Sequence, residues 1–369
     1  MNPSAYTRPF TSRASQCGLS LIELMISITI GLLILSALAT LFVNQSKTRT
    51  ELDKSNRLID NGRYALEVLS EDLRLAGFYG ERNLVAAGVI NDPCTTTPTD
   101  PSVTEMRDAL GLHVAGYDAS GLGVAIASPP CGLTTTPLAT ANLKNGSDIL
   151  VLRRADTTAI PAASVSGTHH YIQLSNCKYD LATSVISKTA SDFNLRKHPC
   201  NSTSTLPAAN VRRFFVQTYF VSPNNIAGDG IPTLKLKELD PAGTGVFVIT
   251  PLVEGIEFLQ VDYGIDGDNN ADGVMDDING DSFINIADTD GVADSYVTTC
   301  ATAVCWSNIV SVKLWIIARN IETTVGYTNT NTYTLGLAGT FGPFNDSYKR
   351  HVYTQTVRLV NPSSRRETP

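Results

Sequence analysis

The sequence predicts an α+β fold in which a long N-terminal α-helix packs on a globular head of mainly antiparallel β-sheet. An apolar run from Leu24 to Val43 carries no formal charge and continues without proline into an amphipathic helical pattern. The rest of the chain alternates turn residues with short stretches rich in β-branched and aromatic side chains, which is typical of strands. We therefore expect a membrane half of the helix at 19–43, an amphipathic half at 44–78 and a β-rich head at 79–369.

Composition narrows the function classes. The chain has 369 residues, of which 43% are hydrophobic, enough for a sizeable core. Its formal net charge is −7 and its Lys and Arg are dispersed, so no nucleic-acid partner is expected. The sequence contains no G-x-S-x-G, H-E-x-x-H, P-loop or G-x-G-x-x-G motif, which favours a protein that is not an enzyme and needs no cofactor. An anchored periplasmic enzyme is the least favoured alternative.

The apolar run is long enough to act as a membrane anchor. As a helix, Leu24 to Val43 spans roughly 30 Å, the thickness of the hydrocarbon core of a bilayer. No A-x-A-like cleavage site follows it, unlike an ordinary secretory signal. The preceding residues contain Arg8 and Arg13 and no acid, which predicts a cytoplasmic N-terminus. The head is therefore expected on the periplasmic side of the inner membrane.

Glu23 is unexpected near the start of such a segment, because a carboxylate in a membrane helix costs about 2.5 to 3.5 kcal/mol at the centre and less near an end. One interpretation is an acid at the headgroup boundary. However, "CGLSLIELMISITIGLLIL" resembles the class III signal of type IV prepilins. The resemblance implies a leader at 1–18, cleavage by prepilin peptidase after Gly18, and N-methylation of Leu19. It also implies that Glu23 pairs with the N-terminal amine of a neighbouring subunit during assembly.

The helical pattern continues into the head and then stops. Apolar residues recur every seven positions at Leu52, Ile59, Leu66 and Leu73, and Gly77 is the predicted C-terminal stop. This predicts a single helix from about residue 19 to 76, about 85 Å long. A free coiled-coil stalk is the alternative, but packing against a sheet fits the weak apolar stripe better.

Seven stretches of the head are predicted strands: 147–155, 170–177, 212–222, 233–239, 246–265, 307–320 and 350–361. The Thr-, Pro- and Gly-rich segment 91–146 is predicted to be an insertion. Trp306 and Trp315 are expected in the core. The neighbouring His169 and His170 should point to opposite faces of a strand, which disfavours a shared metal.

The cysteines favour disulfides in an oxidising compartment. Cys17 lies in the predicted leader, and six cysteines follow the apolar run without any C-x-x-C spacing. Sequential pairing is the prediction, although other connectivities and free buried thiols stay open: Cys94 with Cys131, Cys177 with Cys200, and Cys300 with Cys305.

The stretch 266–294 is an acidic loop with spacings that resemble calcium-binding loops. Asp266 opens the stretch. The first register contains Asp268, Asn270, Asp272 and Asp276. The second register contains Asp277, Asn279, Asp281, Asn285 and Asp288. They adjoin too closely to form two independent EF-hand loops, and neither has a glutamate in twelfth place, so a single irregular Ca²⁺ site is predicted and a solvated loop is the alternative.

Several head segments resemble PilW-type minor pilins of type IV pili: "NGRYALEVLSEDLRLAGFYG", "VEGIEFLQVDYGID", "WSNIVSVKLWIIARN" and "YKRHVYTQTVRLVN". The resemblance implies a type IV pilin-like fold and a minor pilin that primes pilus assembly and sits at or near the tip. It implies contacts with other minor pilins and the major pilin through the N-terminal helix, and a possible tip adhesin as a partner. The protein would move from the inner membrane to the extracellular pilus. Alternatives are a J-type minor pseudopilin of type II secretion and a calcium-dependent adhesin displayed on the pilus.

Overall fold

The computed structural model describes Gly18 and residues 20–80, 90, 92–94, 106–134, 142–202, 207–239, 247–268, 275–277 and 288–367. The chain separates into two compact units, Met1–Asp53 and Lys54–Pro369. Helix α1, Leu21–Leu75, begins in the first unit and ends in the second. This confirms the predicted long N-terminal helix and the α+β class.

Thirteen strands are found among the described residues, and most of them belong to two antiparallel sheets. The strands of the first sheet are β1 (Val114–Tyr117), β2 (Ile149–Ile160), β3 (Tyr171–Leu174), β4 (Ser184–Ser187), β5 (Val211–Ser222), β6 (Thr233–Leu239) and β7 (Phe247–Glu254). The strands of the second sheet are β8 (Ile256–Ile265), β9 (Ser295–Val297), β10 (Ile309–Arg319) and β13 (Arg350–Arg358). A small ribbon pairs β11 (Tyr333–Thr334) with β12 (Thr340–Phe341). Among the described residues, two short α-helices follow the long one, α2 (Ala303–Ser307) and α3 (Val360–Ser364).

The strand order explains why the sheets share a core. The first sheet runs β1-β2-β5-β3-β4, with β6 joined to β5 and β7 to β6, and the second runs β13-β10-β8-β9. Every strand pair in both is antiparallel. β8 is buried at every position, so it is covered on both faces.

The sequence predicts one strand at 246–265, and this is wrong: the stretch forms β7 in the first sheet and β8 in the second. Gly255 makes the switch with φ +78°, a conformation that favours glycine. Its N–H donates to Pro232 O at 2.7 Å, and its carbonyl accepts from Arg319 N at 2.8 Å. A Cβ at Gly255 would lie 2.8 Å from Arg319 O, so a side chain does not fit there.

One stripe of the C-terminal half of α1 is part of the core of the second unit. The buried residues are Leu58, Gly62, Ala65, Leu66, Leu69, Ser70 and Leu73. They join a single hydrophobic cluster with residues of both sheets. Of the four predicted positions, Leu66 and Leu73 lie on this stripe, Ile59 is partly buried and Leu52 is exposed. The buried stripe confirms packing on a sheet over a free stalk.

Polar contacts tie this part of α1 to three strands of the first sheet. The Asp72 carboxylate accepts a hydrogen bond from the Tyr219 hydroxyl on β5 and lies 3.2 Å from Arg154 Nη2 on β2. The Asn61 amide donates to Glu254 O at the end of β7, at 2.9 Å. These bonds fix the rotation of the helix about its axis as well as its position.

Side chains near the C-terminus hydrogen-bond the backbone carbonyls at the end of α1. Gly77 adopts φ +71°, as expected for a helix stop. The Asn361 amide of α3 donates to Ala76 O at 3.1 Å, and Arg365 donates to Gly77 O at 3.0 Å. His113 packs against Gly77, and a Cβ added at Gly77 would lie 3.1 Å from the Cβ of His113.

Part of the segment 91–146 is built into the core. Residues 114–117 form β1 on the edge of the first sheet, and Leu110, Leu112 and Val114 are buried. The sequence missed five short strands: β1, β4 and β9, which have three or four residues, and β11 and β12, which have two.

Gly62 offers a direct test of the helix packing. A Cβ at Gly62 would lie 2.2 Å from the Tyr353 ring on β13, so we expect Gly62→Ala to lower the free energy of unfolding by about 1 to 3 kcal/mol despite the better helix propensity of alanine. The measurement is thermal or urea unfolding of the full chain. Gly31→Ala, where nothing lies within 4 Å, is the control and should leave the head's transition unchanged. In a Tyr353→Ala background the cost of Gly62→Ala should shrink, and equal costs in both backgrounds would contradict this packing.

His113 predicts a loss of stability in mild acid. Burial lowers the pKa of its imidazole to about 4, and its Nε2 lies 2.8 Å from Ile309 O. As the pH falls below about 6.5, the imidazole takes up a proton in the unfolded chain but not in the folded chain. The contribution of the neutral His113 to the free energy of unfolding is therefore complete above about pH 6.5 and is lost as the pH falls towards 4. His113→Gln, whose amide retains a donor for Ile309 O, should show a shallower fall in unfolding temperature between pH 6.5 and 4.5. Identical slopes for the two proteins would contradict the assignment.

Candidate functional site

The start of α1 carries the predicted processing and assembly residues. Gly18 is exposed, and Leu19 lies outside the described residues. Ser20 N donates to Glu23 Oε2 at 3.0 Å, and Ser20 Oγ accepts weakly from Ile22 N at 3.4 Å. This is a capping box, in which a serine before the helix and a glutamate in its first turn satisfy free backbone N–H groups.

The capping box was missed in the sequence, although Ser20-Leu-Ile-Glu23 is the S-x-x-E pattern that signals it. It gives Glu23 a local role, since the carboxylate sits at the positive end of the helix dipole. The role is compatible with assembly, because both Ser20 and Glu23 lie on the C-terminal side of the predicted cut after Gly18.

The apolar half of α1 presents its large side chains outward. Leu21 to Val43 are exposed throughout. Within it, the Thr40 hydroxyl donates to Ser36 O at 2.9 Å and the Thr29 hydroxyl to Met25 O, so these polar groups are satisfied inside the helix. By length and composition α1 can cross a membrane. Such a surface suits a lipid bilayer or the packing of neighbouring helices.

The structure describes part of the predicted calcium loop. Asn270, Asp272, Asn279, Asp281 and Asn285 lie outside the described residues. The residues within the described part are Asp266, Asp268, Asp276, Asp277 and Asp288.

Asp266 has a structural role at the base of this loop. Its carboxylate oxygens accept from Asp290 N at 3.1 Å and Gly291 N at 2.9 Å, and Arg366 Nη1 lies 3.6 Å away. Burial is the main cause of its raised pKa. These contacts compete with metal coordination by Asp266.

The two ends of the acidic stretch approach each other. Gly267 N donates to Asp294 Oδ2, and Asp276 N donates to Gly267 O, both at 2.7 Å. Asp268 and Asp288 are both buried. The described part thus joins the two ends of the acidic stretch, and calcium binding stays a prediction.

Among the described residues, one cluster groups three potential metal-ligand atoms, from Asp92, Cys94 and Cys131. The two sulfurs form a disulfide, and Asp92 accepts from the backbone N–H groups of both cysteines. The disulfide and these hydrogen bonds therefore hold residues 92–94 against Cys131, and the cluster does not bind a metal. His169 and His170 are not in any such cluster within the described part of the chain.

The three predicted disulfides are confirmed: Cys94–Cys131, Cys177–Cys200 and Cys300–Cys305. Trp306 is buried at 2% exposure, as expected for a core residue. Trp315 is only partly buried and donates from Nε1 to Asp262 Oδ2 at 2.8 Å.

Comparison with known families supports these features at both ends of the chain. The prokaryotic N-terminal methylation motif matches residues 13–39, which contain Gly18 and Glu23. Type IV Pilus-assembly protein W matches residues 218–361, from the end of β5 into α3. Over these residues the chain is similar to the two families, which is consistent with a PilW-type minor pilin. No curated protein and no solved structure matches it.

The region similar to Type IV Pilus-assembly protein W contains β6 to β13, including all of the second sheet. It therefore includes Tyr353, which packs on Gly62 of α1, and Asn361, which holds the end of that helix. The acidic loop also lies within it.

The calcium prediction is tested by thermal unfolding of the full chain with excess Ca²⁺ and with EDTA. Because a ligand that binds only the folded state stabilises it, Ca²⁺ should raise the unfolding temperature by several degrees. Asp268→Asn should abolish the shift, while Asp229→Asn, in the 223–231 turn away from the acidic loop, serves as the control. No shift in the unmodified chain would contradict the site.

Proposed function

We propose that this protein is a minor pilin that primes type IV pilus assembly and is incorporated at or near the pilus tip. The single observation that carries the proposal is the Glu23 carboxylate at the start of an exposed apolar helix, inside a matched N-terminal methylation motif. Prepilin peptidase hydrolyses the bond after Gly18, and Leu19 becomes the methylated N-terminus. The apolar helix stays attached to the head because the cut lies before it.

The physical role of Glu23 follows from its surroundings. Once α1 is packed among other apolar helices, an unpaired carboxylate is costly, whereas one paired with an amine sets the register between subunits. The N-terminal amine of the adjacent subunit is the partner that the prepilin resemblance implies. Assembly would thus exchange the capping contact with Ser20 N for an intersubunit ion pair.

The remaining parts of the proposal concern location and partners. Before assembly the protein is held in the inner membrane with its head in the periplasm, and afterwards it is part of the extracellular pilus. It contacts other minor pilins and the major pilin through α1, with a tip adhesin as a further partner, and it has no enzymatic role. A J-type pseudopilin of type II secretion is the alternative within the same machinery, and neighbouring genes of a pilus or a secretion system distinguish the two. A calcium-dependent adhesin requires the loop at 266–294 to bind Ca²⁺.

Two substitutions at Glu23 separate its assembly role from its capping role. Glu23→Gln retains a capping-box residue and removes the charge, whereas Glu23→Ala removes both. We expect both variants to be cleaved after Gly18, to accumulate in the membrane and to be absent from sheared pili, measured by immunoblotting. Incorporation of Glu23→Gln at the level of the unmodified protein would overturn the assembly role of the charge.

Substitution at the cleavage site tests processing. Gly18→Glu should leave the leader attached, seen as a larger mass of the membrane-bound protein, and should prevent incorporation into pili. Gly31→Ala, on the same helix with open space around the added Cβ, is the control and should be processed normally. Normal cleavage and piliation in the Gly18 variant would contradict the minor-pilin function.

A further inference from the structure

The head contains a groove to which no role has been given. Its volume is about 580 Å³, within the range of ligand sites, and it is open to solvent. Its wall and floor residues come from loops after β5 and before β2, from the start of β8 and from the approach to β13. Those used below are Leu122, Lys144, Asn145, Glu257, Phe258, Phe344, Asp346 and Arg350.

Aromatic rings form the apolar floor of the groove. The rings of Phe258 and Phe344 stack with centroids 5.9 Å apart. Leu122 at the rim is 43% exposed. An apolar side chain laid in the groove would therefore contact aromatic surface and lose its own contact with water.

Arg350 is saturated by its own chain. Its Nε lies 2.5 Å from Glu257 Oε2, and its Nη1 and Nη2 lie 2.6 Å from the two oxygens of Asp346. Its Nη2 also donates to Glu257 Oε1 at 3.1 Å. Arg319 Nη1 reaches the same Glu257 oxygen at 3.5 Å. Two guanidiniums and two carboxylates thus neutralise one another.

Lys144 is the cation of the groove that this network of charges leaves unpaired. Its Nζ lies 4.8 Å from the Phe258 ring centroid, and within the described residues no carboxylate forms an ion pair with it. Burial is the main cause of its lowered pKa, to which Arg319 and Arg350 also contribute, while Glu257 opposes them. A partly buried ammonium without a paired anion is costly, and an incoming carboxylate would relieve that cost.

We propose that this groove binds a polypeptide segment of a partner protein, placing a carboxylate on Lys144 Nζ and an apolar side chain on Phe258 and Phe344. An open groove admits the end of a longer chain, and the exposed amide of Asn145 at the rim can bond peptide groups. The carboxylate is that of the C-terminus of the segment. This site is independent of the assembly role of α1.

The test uses N-acetyl-Gly-Phe with a free C-terminal carboxylate, titrated by ligand-observed NMR against the full chain in detergent micelles. We expect saturable binding in the millimolar range, and at least tenfold weaker binding of the same peptide as its C-terminal amide. The acid 3-phenylpropionate, which has the ring and the carboxylate without peptide groups, should also bind at least tenfold more weakly. Absence of saturation by the free acid, equal affinity of acid and amide, or equal affinity of 3-phenylpropionate would overturn the proposal.

Matched lysine variants locate the binding. Lys144→Met keeps an unbranched apolar stem of similar length and should weaken the free acid at least tenfold, whereas Lys144→Arg keeps the charge and should retain binding. Lys178→Met is the control, because Lys178 is exposed and its Nζ lies 5.0 Å from the Tyr179 ring, outside the groove. Equal binding by Lys144→Met and Lys178→Met, or loss of binding in folded Lys144→Arg, would overturn the assignment to Lys144.

Discussion

The burial of one stripe of α1 is the constraint on which the rest of the head depends. Leu69 and Leu73 are fully buried, and such side chains each contribute about 1.5 to 3 kcal/mol relative to exposure. The same stripe meets both sheets, because Gly62 lies against Tyr353 in the second and Asp72 binds Tyr219 in the first. The helix therefore packs against both sheets and completes the core that they share.

The two halves of α1 have the same backbone and opposite surroundings. From Leu21 to Val43 the side chains are exposed, whereas Leu58 to Leu73 supply a stripe to the core. The head already buries the apolar stripe of the C-terminal half of α1. The exposed apolar area of the helix is therefore concentrated in its N-terminal half. That division fits a protein whose head folds around its own helix and whose exposed half is left for lipid or for neighbouring helices.

Sequence predicts the elements whose signals are local, and misses those decided by tertiary contacts. The helix stop is predicted by the glycine at position 77, which adopts a positive φ. The strand Thr233–Leu239 is predicted by alternation over seven residues. The strand β1 has four residues and no alternation, so only its pairing with β2 reveals it. The switch at Gly255 depends on the approach of Arg319 O, which is distant in sequence. The capping box at Ser20 was readable, whereas the Lys144 groove joins segments with no shared motif.

The buried charges of the head separate into two kinds by what surrounds them. Asp148 has both carboxylate oxygens bonded to backbone N–H groups, of Ala119 and Val261, and Asp266 is satisfied in the same manner. Arg350 is likewise saturated by carboxylates of its own chain. These charges hold loops and strands together, and their removal would leave partners unsatisfied. Lys144 differs because its ammonium faces a groove and, within the described part of the chain, a phenyl ring instead of an anion. The groove thus holds a cation that no carboxylate of the described residues pairs, and this is the charge that the proposed peptide carboxylate would meet.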